Sequence, residues 1–225
     1  NSYRTSYNKK RIEIIICILQ CSCEATVISR INSKTSVILF DMDGITIDTE
    51  PLYTKAEINL FNEYGIDIPE QDWSLFRGSS EKTFYKLSMD RYNISEKLDV
   101  FMKKGRAHVR AEFEKGIPFM SGFKILHKRI SPHHLTGLVT ASPRKSLNKI
   151  ISSLNFNTYF NIIISGEDTK NNKPHPDPYL EAMRRLDVVP QKTIIIEDSL
   201  IGIRSAIKSG AHVIAKTGSV PRNRL

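Results

Sequence analysis

Two aspartates one residue apart, Asp41 and Asp43, close the apolar run Val37-Ile38-Leu39-Phe40 and are followed by Gly44 and Asp48. Four consecutive apolar residues predict a short strand buried on both faces, as in a parallel sheet. An extended chain alternates its side chains, so Asp41 and Asp43 can share one side of the strand end. Gly44 lets the backbone turn away at once. Two carboxylates held together repel each other and attract a hard cation such as Mg²⁺. They can also divide two jobs, one ionised as nucleophile and the other protonated as acid. A calcium loop starting at Asp41 is excluded, because its fifth and twelfth positions fall on Ile45 and Leu52, which carry no side-chain oxygen.

The pattern Asp-x-Asp-Gly-x-x-x-Asp after an apolar strand resembles the first motif of the haloacid dehalogenase superfamily, mostly phosphate-transferring enzymes. Three later segments resemble its other motifs, in the right order. Thr140, ending Leu-Thr-Gly-Leu-Val, resembles the second, where a hydroxyl and the backbone N–H groups that follow, here at Ala141 and Ser142, bind phosphate. Lys173, which opens Lys-Pro-His-Pro-Asp-Pro, resembles the lysine of the third. Its compact ammonium suits shielding Asp41 from the charge of an incoming phosphate, and three prolines stiffen the loop that holds it. Glu197-Asp198-Ser199 with Gly202 resembles the fourth, which supplies carboxylates to Mg²⁺. Asp198 or Ser199 also suits a helix N-cap.

The resemblance is nearest to the phosphoglycolate phosphatases, sugar phosphatases and β-phosphoglucomutases. It implies that Asp41 attacks phosphorus to form an aspartyl-phosphate, and that Asp43 protonates the leaving alkoxide and then activates the hydrolytic water. Mg²⁺ would be held by Asp41, the backbone carbonyl of Asp43, and Asp198 with Glu197. Gly44, Ala141, Ser142 and the segment around Arg77 and Gly78 would contact substrate. The expected activity is Mg²⁺-dependent hydrolysis of a small phosphorylated metabolite, a sugar or polyol phosphate. Two alternatives stand beside it: a phosphosugar mutase and a catalytically inactive binding protein. A mutase would call for a histidine just after the first hinge and an arginine in the cap loop; Tyr53 and Glu81 stand there instead.

These residues need a scaffold, and the rest of the chain reads as one. Apolar runs at 37–40, 135–139, 162–164 and 194–196 each end in a polar residue, and 213–215 makes a fifth strand. Helical stretches at 122–130, 142–154, 178–186 and 200–208 lie between them, the last stopping at Gly210. Alternating strands and helices predict an α/β fold, a Rossmann-like open parallel sheet that binds ligands at the carboxyl ends of its strands. The alternation lapses between 51 and 118, where Ile58, Leu60, Phe61 and Tyr64, then Phe84, Leu87 and Met89, then Leu98, Val109 and Phe113 mark helices. The expected organisation is a leader at 1–35, the core at 36–50 and 119–225, and an inserted all-helical cap at 51–118, hinged near 48–51 and 116–121.

The net charge of +9 suits an anionic substrate, and residues 1–35 contribute +4 of it. Lys103, Lys104, Arg106 and Arg110 read as a solvated helix face, and no nucleic-acid motif is present, so no nucleic-acid or membrane partner is expected. Cys17, Cys21 and Cys23 all fall in the leader, which leaves the core independent of disulfides and points to a reducing, cytoplasmic setting; a monomer is expected. The leader pairs Lys9-Lys10-Arg11 with an apolar run broken by Glu13, a pattern open to a targeting segment, an added strand or helix, or a tail. Proteins of the family it resembles usually continue through another strand and helix, whereas this sequence stops at Leu225, so the edge beyond the fifth strand is expected to be the less stable one. Of the histidines only His175, near Lys173, invites a functional reading.

Overall fold

The computed structural model describes residues 12–15, 28, 31, 34–76 and 81–216. Arg77, Gly78, Cys17, Cys21 and Cys23 lie outside the described residues. The chain divides into two compact units, one of Asn1–Asp48 with Pro118–Leu225 and one of Thr49–Ile117.

The first unit is built on six strands: β1 (Ile12–Ile15), β2 (Val37–Phe40), β3 (Leu135–Val139), β4 (Ile162–Ile164), β5 (Thr193–Glu197) and β6 (His212–Lys216). They form one sheet in the order β1-β6-β5-β2-β3-β4, with every pairing parallel. Parallel neighbours need crossovers, and these are the helices α5 (Phe123–Ile130), α6 (Arg144–Leu154), α7 (Asp177–Arg185) and α8 (Leu200–Ser209). β2 is the central strand and its four residues are buried, as an all-apolar run between two helical layers requires. Val37 and Leu39 pack with Val139, Ile164, Ile195 and Val213 and with Tyr179, Ala182 and Met183 of α7. Burying each such aliphatic side chain stabilises the fold by about 1.5–3 kcal/mol.

The register sets up the chemistry. Phe40 lies opposite Leu138 on one side and Ile196 on the other, so the residues that follow them emerge side by side at one sheet edge. The chain runs outward from β2 through β3 to β4, then returns to β5 on the opposite flank. The strand order therefore reverses at β2, the kind of place where open α/β sheets bind ligands. The strand expected at 194–196 extends through Glu197, so this carboxylate leaves from the ladder itself. The questioned edge beyond β6 is occupied by β1, whose Ile12 and Ile15 lie opposite Val213 and Lys216.

The second unit holds α1 (Glu50–Asn62), α2 (Glu70–Phe76), α3 (Glu81–Tyr92) and α4 (Leu98–Glu114). Leu60, Phe61, Ile68, Phe84, Tyr85 and Phe101 form its core, with the rings meeting edge to face. Ile58 and Leu87, read from sequence as part of the apolar faces, are instead 42% and 43% exposed. The buried faces run through Leu60 and Phe61, and through Phe84 and Tyr85. Asp72 on α2 accepts from Arg91 Nε and Nη2 and from the Tyr92 hydroxyl at 2.8 Å, which fastens α2 to α3.

Burial pushes the Glu57 carboxyl up to about 7. The native state then binds a proton that the unfolded chain has released, so stability falls as pH rises from the ordinary carboxylate range towards 7. Glu57→Gln lacks this penalty. Its melting temperature is expected to exceed that of the parent by a margin that grows between about pH 5 and pH 8. A constant margin across a pH series of thermal melts would contradict the shift.

Candidate active site

Asp41 follows β2 directly, and its backbone N–H donates to the Ile196 carbonyl at 3.0 Å, which ties it to β5. The turn after it is closed by Thr46, whose hydroxyl donates to the Asp41 carbonyl at 2.7 Å, and by Gly44 N–H donating to Ile47 at 2.9 Å. Gly44 adopts φ +76°, and a Cβ there would lie 2.1 Å from Asp198 Oδ2. Only glycine lets this turn press against the Asp198 carboxylate.

Lys173 Nζ reaches back into the sheet end and donates to Asp41 Oδ1 at 2.5 Å, to Glu197 Oε1 at 2.9 Å and to the Val139 carbonyl at 2.9 Å. An ammonium has three protons, and all three are placed. Glu197 is wholly buried. Besides Lys173, its Oε1 accepts from the Tyr179 hydroxyl at 3.2 Å, while Oε2 accepts from the N–H groups of Asp198 and Ser199, both at 2.8 Å, and from the Ser199 hydroxyl at 3.0 Å. Ser199 is the N-cap of α8 and accepts from Gly202 N–H at 3.1 Å.

Asp41, Glu197 and Asp198 each place a carboxylate oxygen within 4.8 Å of the others. The Asp43 carboxylate lies outside this group, so only its backbone carbonyl remains for the ligand role expected of it. Its charge still reaches Asp41. Burial pushes the Asp41 carboxyl well above its ordinary range; Lys173 pulls it down, and the charges of Glu197 and Asp43 push it up. Burial works against the Lys173 ammonium, yet Asp41, Tyr179 and Glu197 together hold its pKa well above the usual value. Three carboxylates thus cluster at the sheet end, two of them paired with the Lys173 ammonium. Their hard oxygen donors fit a divalent cation such as Mg²⁺.

Thr140 stands at the end of β3, with its N–H donating to Ile164 at 3.0 Å and its Oγ1 accepting from Ser142 N–H at 3.1 Å. The fold therefore brings Asp41, Lys173, Glu197 and Asp198 into one bonded cluster, with Thr140 one residue beyond the carbonyl that Lys173 holds. His175 is not part of it: Nδ1 pairs with Asp177 at 2.8 Å in a half-exposed position. Sequence reasoning passed over Tyr179. Its ring lies 4.9 Å from Lys173 Nζ, and its buried hydroxyl needed a partner that only the fold supplies.

Comparison with known proteins places this geometry in a family. The model of the haloacid dehalogenase-like hydrolases matches residues 38–216. A phosphorylated carbohydrates phosphatase of Thermotoga maritima is 30% identical over 182 residues, which cover 79% of this chain and 82% of that protein. Hexitol phosphatase B of Escherichia coli K12 is 28% identical over 73% of this chain and 76% of its own length. Among solved structures, a candidate β-phosphoglucomutase of Thermotoga maritima superposes with a TM-score of 0.75 at 28% identity, covering 83% of this chain and 88% of that one. With four motifs in order and a match spanning most of its length, the chain belongs to the haloacid dehalogenase-like hydrolase family.

Proposed function

We propose that this hydrolase is a Mg²⁺-dependent phosphatase of small phosphorylated metabolites, with a sugar or polyol phosphate as substrate. One observation carries the reading: a buried aspartate at the switch point of the sheet, charge-paired with lysine and flanked by two more carboxylates. The relatives named for phosphorylated carbohydrates and for hexitol phosphates support the substrate class.

Asp41 is the nucleophile. An oxygen of its carboxylate attacks phosphorus in line, the bond to the leaving oxygen breaks, and an aspartyl-phosphate forms. Asp43 donates its proton to the departing alkoxide, then takes a proton from the water that cleaves the intermediate. Lys173 holds Asp41 oriented and offsets phosphoryl charge. Thr140 and the backbone N–H of Ala141 receive the phosphoryl oxygens, while Ser142, expected to join them, donates its own N–H to Thr140 Oγ1 and so braces that hydroxyl. Asp41, Asp198 and the Asp43 carbonyl would hold Mg²⁺, whose charge would neutralise the phosphoryl oxygens and the crowded carboxylates. Glu197, with both oxygens already engaged, arranges Lys173 and aims the loop that carries Asp198. Gly44, Arg77 and Gly78 are proposed substrate contacts.

Hydrolysis is preferred over phosphosugar isomerisation because Glu81 stands where a mutase would need a cation. Its carboxylate accepts from Arg106 Nε and Nη2, both at 2.8 Å, which also engages that arginine's charge. The purified protein is expected to hydrolyse p-nitrophenyl phosphate with Mg²⁺, lose activity with a chelator and regain it on Mg²⁺ addition. A panel of sugar and polyol phosphates then ranks substrates by kcat/KM. Folded protein inert towards the whole panel would overturn the reading. Glucose 6-phosphate formed from β-glucose 1-phosphate and a bisphosphate primer, without free phosphate, would favour the mutase.

A further inference from the structure

The segment after β4 leads to Lys173 and also touches the turn after β3. Asn172 Nδ2 donates to the Ala141 carbonyl at 3.4 Å, while its Oδ1 accepts from Lys173 N–H at 2.9 Å. Gly166 N–H donates to the Ser142 carbonyl at 3.0 Å. The three groups are in close contact: a Cβ on Gly166 would lie 2.4 Å from the Ala141 carbonyl oxygen and 2.6 Å from Asn172 Nδ2. Two carbonyls of the turn are thus held from one side.

A peptide unit is rigid and planar, with its C=O and N–H pointing in opposite directions. The carbonyl held by Asn172 shares its plane with Ser142 N–H, and that N–H donates to Thr140 Oγ1 at 3.1 Å. Thr140 is buried, and among the described residues its own hydroxyl proton has no acceptor. Because Oγ1 already accepts from inside the turn, its rotatable proton is left to donate to an acceptor outside the turn.

We propose that Asn172 is a positioning residue, whose amide locks the Ala141–Ser142 peptide against the Lys173 segment and so presents the Thr140 hydroxyl as a donor to the phosphoryl group. The inference rests on the reading of Thr140 as a phosphate contact. Nothing in the sequence marks Asn172: it precedes the lysine as an ordinary loop residue.

A double-mutant cycle tests it, with inorganic phosphate as the probe at fixed Mg²⁺. Phosphate affinity is measured both as competitive inhibition and by calorimetry, alongside melting temperature. Asn172→Ala is expected to weaken phosphate binding about three- to tenfold, the range of one lost hydrogen bond. Thr140→Val is expected to weaken it at least as much, and Thr140→Ser to restore it. The double variant should bind phosphate no worse than Thr140→Val, since the asparagine acts through that hydroxyl. Losses that multiply in the double variant would overturn the coupling. So would a weakened Thr140→Val beside an unchanged Asn172→Ala, which leaves the phosphate contact standing. Unchanged affinity in both would overturn the inference together with the role of Thr140, while Asp41-dependent hydrolysis would still support the phosphatase.

Discussion

Asp41→Asn is expected to lower kcat for p-nitrophenyl phosphate by about 10⁴-fold or more, the scale seen when a covalent nucleophile is removed. Asparagine matches aspartate in size and cannot form a stable acyl phosphate. The effect on stability should be small, and the reason lies in the charge balance. Breaking a buried ion pair by deleting one partner ordinarily costs about 3–5 kcal/mol, because a lone charge is left behind. Here Lys173 keeps Glu197 at 2.9 Å and the Val139 carbonyl at 2.9 Å. Asp41 is also the carboxylate that burial, Glu197 and Asp43 all disfavour. Neutralising it relieves that repulsion, so the variant should melt within a few degrees of the parent. Steady-state kinetics on the variant, with its circular dichroism and thermal melt, check both parts. Substantial residual hydrolysis would refute Asp41 as nucleophile, and a collapsed melt would refute the charge account.

The contrast between β2 and β1 shows what could be read from the chain alone. Val37–Phe40 is a continuous apolar run that ends in chemistry-bearing residues, so its burial on both faces of a parallel sheet was legible. Ile12–Ile15 is interrupted by Glu13, and its partner β6 lies some two hundred residues away in the chain. Periodicity carries no record of such a pairing. In the helical unit, α3 and α4 have repeating apolar positions, whereas α2 has seven residues, too few for a period to show. Its anchor is tertiary, the buried Asp72 with Arg91 and Tyr92.

The site divides the same way. Asp41, Glu197 and Asp198 at the ends of strands, and Lys173 in the proline-rich loop after β4, were legible through their resemblance to the motifs of the family. Tyr179 and Asn172 were not, since each matters only through a group brought to it by folding: the Glu197 carboxylate for one, the Ala141 carbonyl for the other. Glu197 gained a second role. Beside Asp198 in the sequence it read as a metal ligand, and its carboxylate does stand in the acidic cluster with Asp41 and Asp198; the fold adds bonds from Lys173, Tyr179, Ser199 and the start of α8 that no spacing announces.

That packing makes Gly202→Ala a severe substitution, against what helix propensity suggests. Gly202 lies in the first turn of α8, where alanine is intrinsically better than glycine by up to about 1 kcal/mol. A Cβ there would sit 1.5 Å from Glu197 Oε1 and 2.0 Å from Cδ. The carboxylate has nowhere to retreat, because moving it breaks its bonds to Lys173, Tyr179 and the N-terminus of α8. Overpacking a rigid site typically costs about 1–3 kcal/mol, and unpairing a buried charge about 3–5 kcal/mol. The steric and electrostatic terms exceed the propensity gain severalfold. A net loss of about 3 kcal/mol is therefore expected, a fall of about 6–12 °C in melting temperature for a chain of this size. Lys173 would be displaced with Glu197, so kcat should fall at least tenfold. Ile201→Ala, at the neighbouring half-exposed position, is the control and should leave both quantities nearly unchanged. A Gly202→Ala protein as stable and active as the parent would mean that the Glu197 carboxylate is free to move, and that Lys173 is oriented by something other than the buried acid beside it.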